Sequence, residues 1–349
     1  MVRSDGSTYF VTTMVATTAG NWTNEPCYPI GFAQFAYITT FVIGMPANIL
    51  AFYTFCRKVH RKPTPIDILL LNLTISDLIF LIFLPLKMKE AADNGKWILP
   101  RFLCPITGFL FYSTIYNSTL LLTAVSVERY LSVACPVRFT APGRVVKTQV
   151  ACVIFWITSF ANCSIVLQME LSKSPDDIFC YDKFSKKQLI ILNPVRLELF
   201  VILFCVPFLI CTFCYVNFIR ILSQIPNITR HRRMRAIGLA IGTLVVFTLC
   251  FGPYNVSHLF GMIDGKVPCW RKYALLLTTF NACLDPIIFY LSSSAVRSRL
   301  SICLKKIKVQ LNPKATSAQT ANTPEPMDSI PSSSQRFCVS NTLDIKDTC

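Results

Sequence analysis

Long apolar runs alternate with short polar, mostly basic stretches along this chain. Seven runs reach the roughly 20 residues that a membrane-spanning helix needs: 32–56, 66–91, 102–135, 146–171, 189–222, 236–263 and 269–291. No soluble core calls for so many segments of this kind. The pattern therefore predicts an all-α membrane protein, a seven-transmembrane helix bundle. After the seventh run, "SAVRSRLSICLKKIKVQL" mixes basic and apolar residues at helical spacing. It reads as a short amphipathic eighth helix on the inner leaflet.

Charge supplies the orientation. Basic residues follow the odd-numbered runs: "RKVHRKP" after the first, Arg138, Arg144 and Lys147 after the third, "RHRRMR" after the fifth, and Arg297, Arg299, Lys305, Lys306 and Lys308 after the seventh. The positive-inside rule makes those loops cytoplasmic and the N-terminus extracellular. The net charge of +16 is thus mainly a topology signal, not a nucleic-acid footprint. Lys87, Lys89, Lys96, Arg101, Lys183, Lys186, Lys187 and Lys272 fall on the outer side among acids. They leave a residual positive field that steers anions.

Composition agrees. Charged residues make up 15% of the 349, against about 25% in a typical soluble domain. Most of the 16 cysteines sit inside apolar runs and behave as small hydrophobes. Residues 1–31 are polar and Thr-rich, without an apolar core of signal-peptide type, so insertion is expected to rely on the first span. Residues 32–311 form the membrane domain with its amphipathic helix. Residues 312–349, rich in Ser, Thr, Pro and Gln, read as a disordered cytoplasmic tail with candidate phosphorylation sites. His60, His231 and His258 are scattered, and no phosphate-cradling Gly-rich loop appears. The chain is not expected to be an enzyme, and no catalytic residue is assigned. An anion transporter or channel is the alternative from another class; no inverted repeat or pair of broken helices supports it.

Charges inside the spans carry the candidate chemistry, because they are costly there and functional by default. Asp77 lies deep in span two ("LNLTISDLIFL"). Glu128, Arg129 and Tyr130 close span three ("SVERYLSV"). "NACLDPIIFY" places Asn281, Asp285, Pro286 and Tyr290 in span seven. Pro207 and Pro253 are expected to kink spans five and six. Arg196 and Glu198 interrupt the fifth run, "LNPVRLELFVILFCVPFLICTF". A charge at a helix centre costs about 2.5–3.5 kcal/mol on insertion scales. Arg196, however, precedes Pro207 by 11 residues, roughly 16 Å toward the outside at 1.5 Å each. His258 and Arg271 reach a similar depth on spans six and seven. Together they make an anion site suited to a carboxylate, which the planar guanidinium fork grips in bidentate fashion. The plainer readings are a snorkelling Arg271, a satisfied polar His258, and an Arg196 paired with a loop acid.

These motifs resemble the rhodopsin-like (class A) G protein-coupled receptors: "GMPANIL", Asp77, Glu128-Arg129-Tyr130, Trp156, Pro207, Pro253 and Asp285-Pro286-x-x-Tyr290, in order on successive spans. The resemblance implies an outside ligand and a heterotrimeric G protein inside. Glu128, Arg129, Tyr130, Phe251, Asp285, Pro286 and Tyr290 would form the activation switch. Phe251 stands where the family usually has Trp, and Asp285 where it has Asn. The resemblance also implies a sodium site at Asp77, Ser118 and Asn281, a Cys104–Cys180 disulfide, and arrestin binding to the phosphorylated tail. Cys27 and Cys269 form a second outer pair. A bridge there resembles that of several peptide and nucleotide receptors, and two free or separately paired thiols are the alternative. Asn21 is the accessible glycosylation sequon, and Cys303 a palmitoylation site beside the membrane lipids.

A closer resemblance lies in "PVRLE", "CFGPYNVSH", "FYSTIY", "YLSSS" and the Trp270-Arg271 pair, which look like the short-chain free fatty acid receptors of types 2 and 3. It implies that Arg196, His258 and Arg271 hold a fatty-acid carboxylate beside Tyr112, at the plasma membrane, with signalling through Gi/o or Gq/11. Asn162 stands where the type-2 receptor has a His, and the N-terminus is longer than in those receptors. A receptor of the same fold for another anion, such as a hydroxy acid, a nucleotide or a longer fatty acid, is the alternative.

Overall fold

The structure, a computed structural model, describes residues 30–136, 142–174, 177–181, 184–226, 228–263, 268–292, 296–298 and 300–302. Spans one to four are single helices: α1 (Ile30–Arg61), α2 (Pro65–Ala92), α3 (Leu103–Ala134) and α4 (Arg144–Leu171). Span five is α5 (Lys186–Phe200), a π-helical turn (Val201–Cys205) and α6 (Val206–Gln224). Span six is α7 (Arg230–Val245), a second π-helical turn (Val246–Phe251) and α8 (Gly252–Ile263). Span seven is α9 (Trp270–Thr279) followed by α10 (Asn281–Ser292).

Among the described residues, six continuous helical stretches are long and apolar enough to cross a membrane. The seventh departs from the uninterrupted run that its apolar pattern predicts. It turns at Phe280, whose carbonyl accepts from the amides of both Cys283 and Leu284 at 3.0 Å. Pro286 sits inside α10 and has no N–H to give the Ala282 carbonyl four residues back. Asn48 of span one supplies the missing donor at 2.8 Å. The asparagine of "GMPANIL" thus ties span one to the carbonyl that Pro286 leaves without its helical donor.

Local sequence explains the helix starts. Thr64 caps α2, with Pro65 in its first turn. The Thr64 hydroxyl also donates to the buried Asp67 carboxylate, which pairs with Lys58 at 2.6 Å. Span three runs between spans two, four and five, and span seven packs back on span one to close the ring. Large apolar side chains of span four, including Val150, Val153, Ile154 and Ile157, stay exposed. A water-soluble protein does not expose such a face; lipid covers it.

On the outer side, Cys104 is bridged to Cys180, with Cα atoms 5.8 Å apart. Trp97 packs beneath that bridge and its amide donates to the Ile178 carbonyl at 2.7 Å. Arg101 reaches the Asp177 and Ser174 carbonyls, holding the second outer loop down. Cys269 is disulfide-bonded; Cys27 lies outside the described residues, as do Asn21, Cys303 and the tail. Of the expected eighth helix, residues 296–298 and 300–302 are described and are helical.

Candidate ligand-binding site

Span five begins with a capping box: Ser185 accepts from the Gln188 amide, and the Gln188 side chain accepts from the Ser185 amide. The Gln188 side chain also donates to the Met169 carbonyl at 2.9 Å, clamping this start against the end of span four. Arg196 follows three turns later and is buried, 8% exposed. Span six contributes His258, 3% exposed, with neither ring nitrogen hydrogen-bonded. Span seven contributes Arg271 from the first turn of α9. Its Nη2 donates to the Tyr254 hydroxyl at 3.5 Å, and its guanidinium lies 5.4 Å from the Tyr254 ring centre. Tyr112 of span three stacks on Tyr254, with ring centres 6.2 Å apart. The four residues singled out from the sequence, Arg196, His258, Arg271 and Tyr112, line one small cavity of about 40 Å³.

Among the described residues, neither Arg196 nor Arg271 makes an ion pair with a carboxylate. The loop acid expected for Arg196 is not among them. Two guanidiniums, an unpartnered imidazole and the unpartnered, buried Tyr116 hydroxyl therefore face one another in a site of low dielectric. Such a site favours an anion strongly. Leu192, Leu199, Cys163 and Val166 supply apolar walls. Asn162 is not in the lining; its amide donates to the Thr158 carbonyl at 2.9 Å.

A wider vestibule of about 260 Å³ lies outside this cavity, lined in part by Lys87, Glu90 and Lys272. Lys87 and Glu90 pair with each other at 2.8 Å. Tyr112, Tyr181, Arg196 and Arg271 line both spaces and so form the partition between them.

Tyr181, next to the bridged Cys180, has a left-handed backbone with φ of 58°, uncommon for a non-glycine residue. Its amide donates to the Glu170 carboxylate at 3.1 Å, and its hydroxyl to the Pro105 carbonyl at 2.9 Å. Glu170 is buried and paired with Lys173 at 2.8 Å. Burial, with the Glu170 carboxylate nearby, pushes the Tyr181 phenol above its ordinary range. It stays protonated and keeps donating.

Sequence reasoning missed Tyr254, Tyr116 and Tyr181. The first two carry a signal: Tyr254 is four residues before His258, and Tyr116 four after Tyr112, so each shares a helix face with an expected residue. Tyr181 has no such spacing, because a loop delivers it.

Deeper in the bundle, Asp77, Ser118 and Asn281 line a small cavity of about 10 Å³ with Phe251. An Asp77 carboxylate oxygen, the Asn281 carbonyl oxygen and both oxygens of the buried Asp285 lack hydrogen-bond partners. This set of hard oxygen donors fits a small cation. Ser118 donates to the Ser76 hydroxyl at 3.1 Å. Phe251 is fully buried against Phe247, with ring centres 5.8 Å apart. At the inner end, Glu128 pairs with Arg144 of span four at 2.5 Å, joining spans three and four. Tyr130 packs on Phe213, and the Tyr215 hydroxyl of span five donates to Thr243 of span six at 3.2 Å. Pro286 lies within α10, while the Tyr290 side chain is outside the described residues.

Residues 47–289 match the family model of the 7 transmembrane receptor (rhodopsin family). Free fatty acid receptor 3 of Mus musculus is 46% identical over 264 residues, covering 74% of this chain and 82% of that protein. Free fatty acid receptor 2 of Mus musculus is 46% identical over 269 residues, 75% of this chain and 82% of its own. Free fatty acid receptor 3 of Homo sapiens is 44% identical over 282 residues, 79% and 81% respectively.

Proposed function

The chain belongs to the rhodopsin family of seven-transmembrane receptors, and on that premise we propose that it is a plasma-membrane receptor for short-chain fatty acids. It is a receptor, not an enzyme. Its N-terminus faces outside, and its inner face couples to heterotrimeric G proteins of the Gi/o or Gq/11 classes. One observation carries the ligand: buried Arg196 and half-buried Arg271, neither paired with an acid among the described residues, share a small cavity with an unpartnered histidine. The similar proteins named as free fatty acid receptors support a fatty acid as the anion.

Arg196 and Arg271 grip the carboxylate, each able to offer two parallel N–H donors. His258 adds a further donor, and Tyr254 orients Arg271. The tail lies against Leu199, Cys163 and Tyr116. Size decides the class. One water-sized group needs about 10–15 Å³ of such space, so the cavity holds about three or four of them. That suits acetate or propionate. A ligand this small gains at most about 1.5 kcal/mol per heavy atom, so binding is weak, in the micromolar to millimolar range.

Asp77, Asn281, Ser118 and Asp285 would hold a sodium ion, which supplies positive charge between two buried acids when bound. The inner switch comprises Glu128, Arg129, Tyr130, Phe251, Asp285, Pro286 and Tyr290. The basic start of α7 and the inner ends of spans three and five form the G-protein surface. Arrestin binds the phosphorylated tail, Cys303 carries a palmitoyl anchor, and Asn21 carries a glycan.

The test is a fatty-acid series from two to twelve carbons, read by cAMP inhibition and calcium release. Arg196→Ala and Arg271→Ala are expected to abolish responses to acetate and propionate while surface expression persists. A full response in either variant sinks the carboxylate site.

A further inference from the structure

We propose that Tyr181 is a specificity-determining roof: its ring closes the acid cavity from above and sets the longest tail the receptor accepts. This inference rests on the carboxylate reading above. Three observations carry it. Tyr181 lines both the inner cavity and the vestibule, so its ring is part of the wall between them. The ring lies 5.6 Å from Tyr112, the partition residue contributed by span three. It also fills the space beside Gly108, where any added Cβ would overlap it. The absent side chain at Gly108 is thus the seat of the Tyr181 ring, one helical turn above Tyr112.

The loop does not hold this ring by chance packing. The Cys104–Cys180 bridge fixes one neighbour to span three. The buried Glu170 carboxylate takes the Tyr181 amide and keeps its own charge paired with Lys173. The hydroxyl is tied to the Pro105 carbonyl of span three. Spans three and four and the outer loop therefore all position one aromatic ring. Glu170 acts here as a positioning residue, reaching the ligand only through Tyr181. With the ring in place, a tail that outgrows the inner cavity meets the partition. Without it, inner cavity and vestibule merge, and longer tails gain apolar contacts.

The experiment measures potencies from acetate to octanoate on the full-length receptor in cells, with surface expression for every variant. The readout is the ratio of hexanoate to propionate potency. In Tyr181→Ala the ratio is expected to rise about tenfold or more, the scale on which an apolar pocket discriminates a single methylene. Tyr181→Phe keeps the ring and is expected to keep the ratio. Gly108→Ala displaces the ring and is expected to raise the ratio in the same direction, with little further effect once Tyr181 is alanine. Gly108→Ala alone decides the matter if Tyr181→Ala fails to reach the surface: an unchanged ratio overturns the roof. An unchanged ratio in Tyr181→Ala, on a receptor that responds as wild type to propionate, overturns the roof and leaves the carboxylate reading standing. A wild type silent to the whole series overturns both.

Discussion

Tyr254 shows how much a single residue decides in this site. It lies one helical turn before His258, with ring centres 4.9 Å apart, stacks on Tyr112, and holds the Arg271 guanidinium by both its hydroxyl and its ring face. A hydrogen bond to a charged group is worth about 1.5–3 kcal/mol when well formed. At 3.5 Å the value falls nearer to about 1 kcal/mol, roughly fivefold in an equilibrium constant. Tyr254→Phe is therefore expected to weaken propionate potency about fivefold. Tyr254→Leu, which also removes the cation–π face, should weaken it further, and equal potencies in both variants would show that the ring plays no part. Glu198 illustrates the opposite case. It follows Arg196 by two residues, is exposed, and points away from the cavity, as i,i+2 residues on a helix must. Arg196 was legible as a site residue because a charge in an apolar run is costly. The contact partners of Tyr254 were not, since tyrosine is ordinary at a helix surface.

Among the elements, spans five and six owe their shape to more than proline. The sequence places Pro207 and Pro253, and kinks were expected there. The π-helical turns that precede them, Val201–Cys205 and Val246–Phe251, have no sequence marker. A π turn admits one extra residue into an α-helix. At 3.6 residues per turn, that residue turns everything before it by about 100° relative to everything after it. In span five the turn lies between Arg196 and the inner half that packs on span three. Deleting Val201 is expected to restore regular α-helix, swing Arg196 out of the cavity and cut acid potency more than tenfold, with surface expression retained. Unchanged potency would mean that the turn does not set the rotation of Arg196. Span seven behaves similarly: its composition predicts a continuous run, and the turn at Phe280 comes from the local backbone and the Asn48 contact, not from the apolar pattern.

For the whole molecule, the outer disulfide connects the fold to its specificity. Cys104–Cys180 joins span three to the loop that carries Tyr181. Removing a native disulfide commonly costs about 2–5 kcal/mol in small secreted domains. Here the bridge also anchors the loop that carries the roof. Cys180→Ala is expected to lower the melting temperature in detergent by a few degrees and to reduce acid potency. An unchanged melting temperature and potency would show that Trp97, Arg101 and Glu170 hold the loop unaided. At the opposite end of the bundle, the Glu128–Arg144 pair links spans three and four, at the face proposed above for the G protein. The sequence displayed both residues, yet only proximity in space pairs an acid in one span with a base sixteen residues later.

The order and number of the spans were legible in sequence alone, and flanking charge proposes their direction. A bilayer forces every backbone polar group to be satisfied within its own helix, so hydrophobic length and flanking charge can be read in one dimension. The same cost argument picked out Arg196, His258, Arg271, Asp77 and Asp285. Tertiary structure decided which faces of those helices meet. The π turns set rotation, the Phe280 turn reshapes span seven, and Tyr181 arrives from a loop through a bridge, a buried carboxylate and a gap at Gly108. Each depends on contacts between residues far apart in the chain, which no local pattern records.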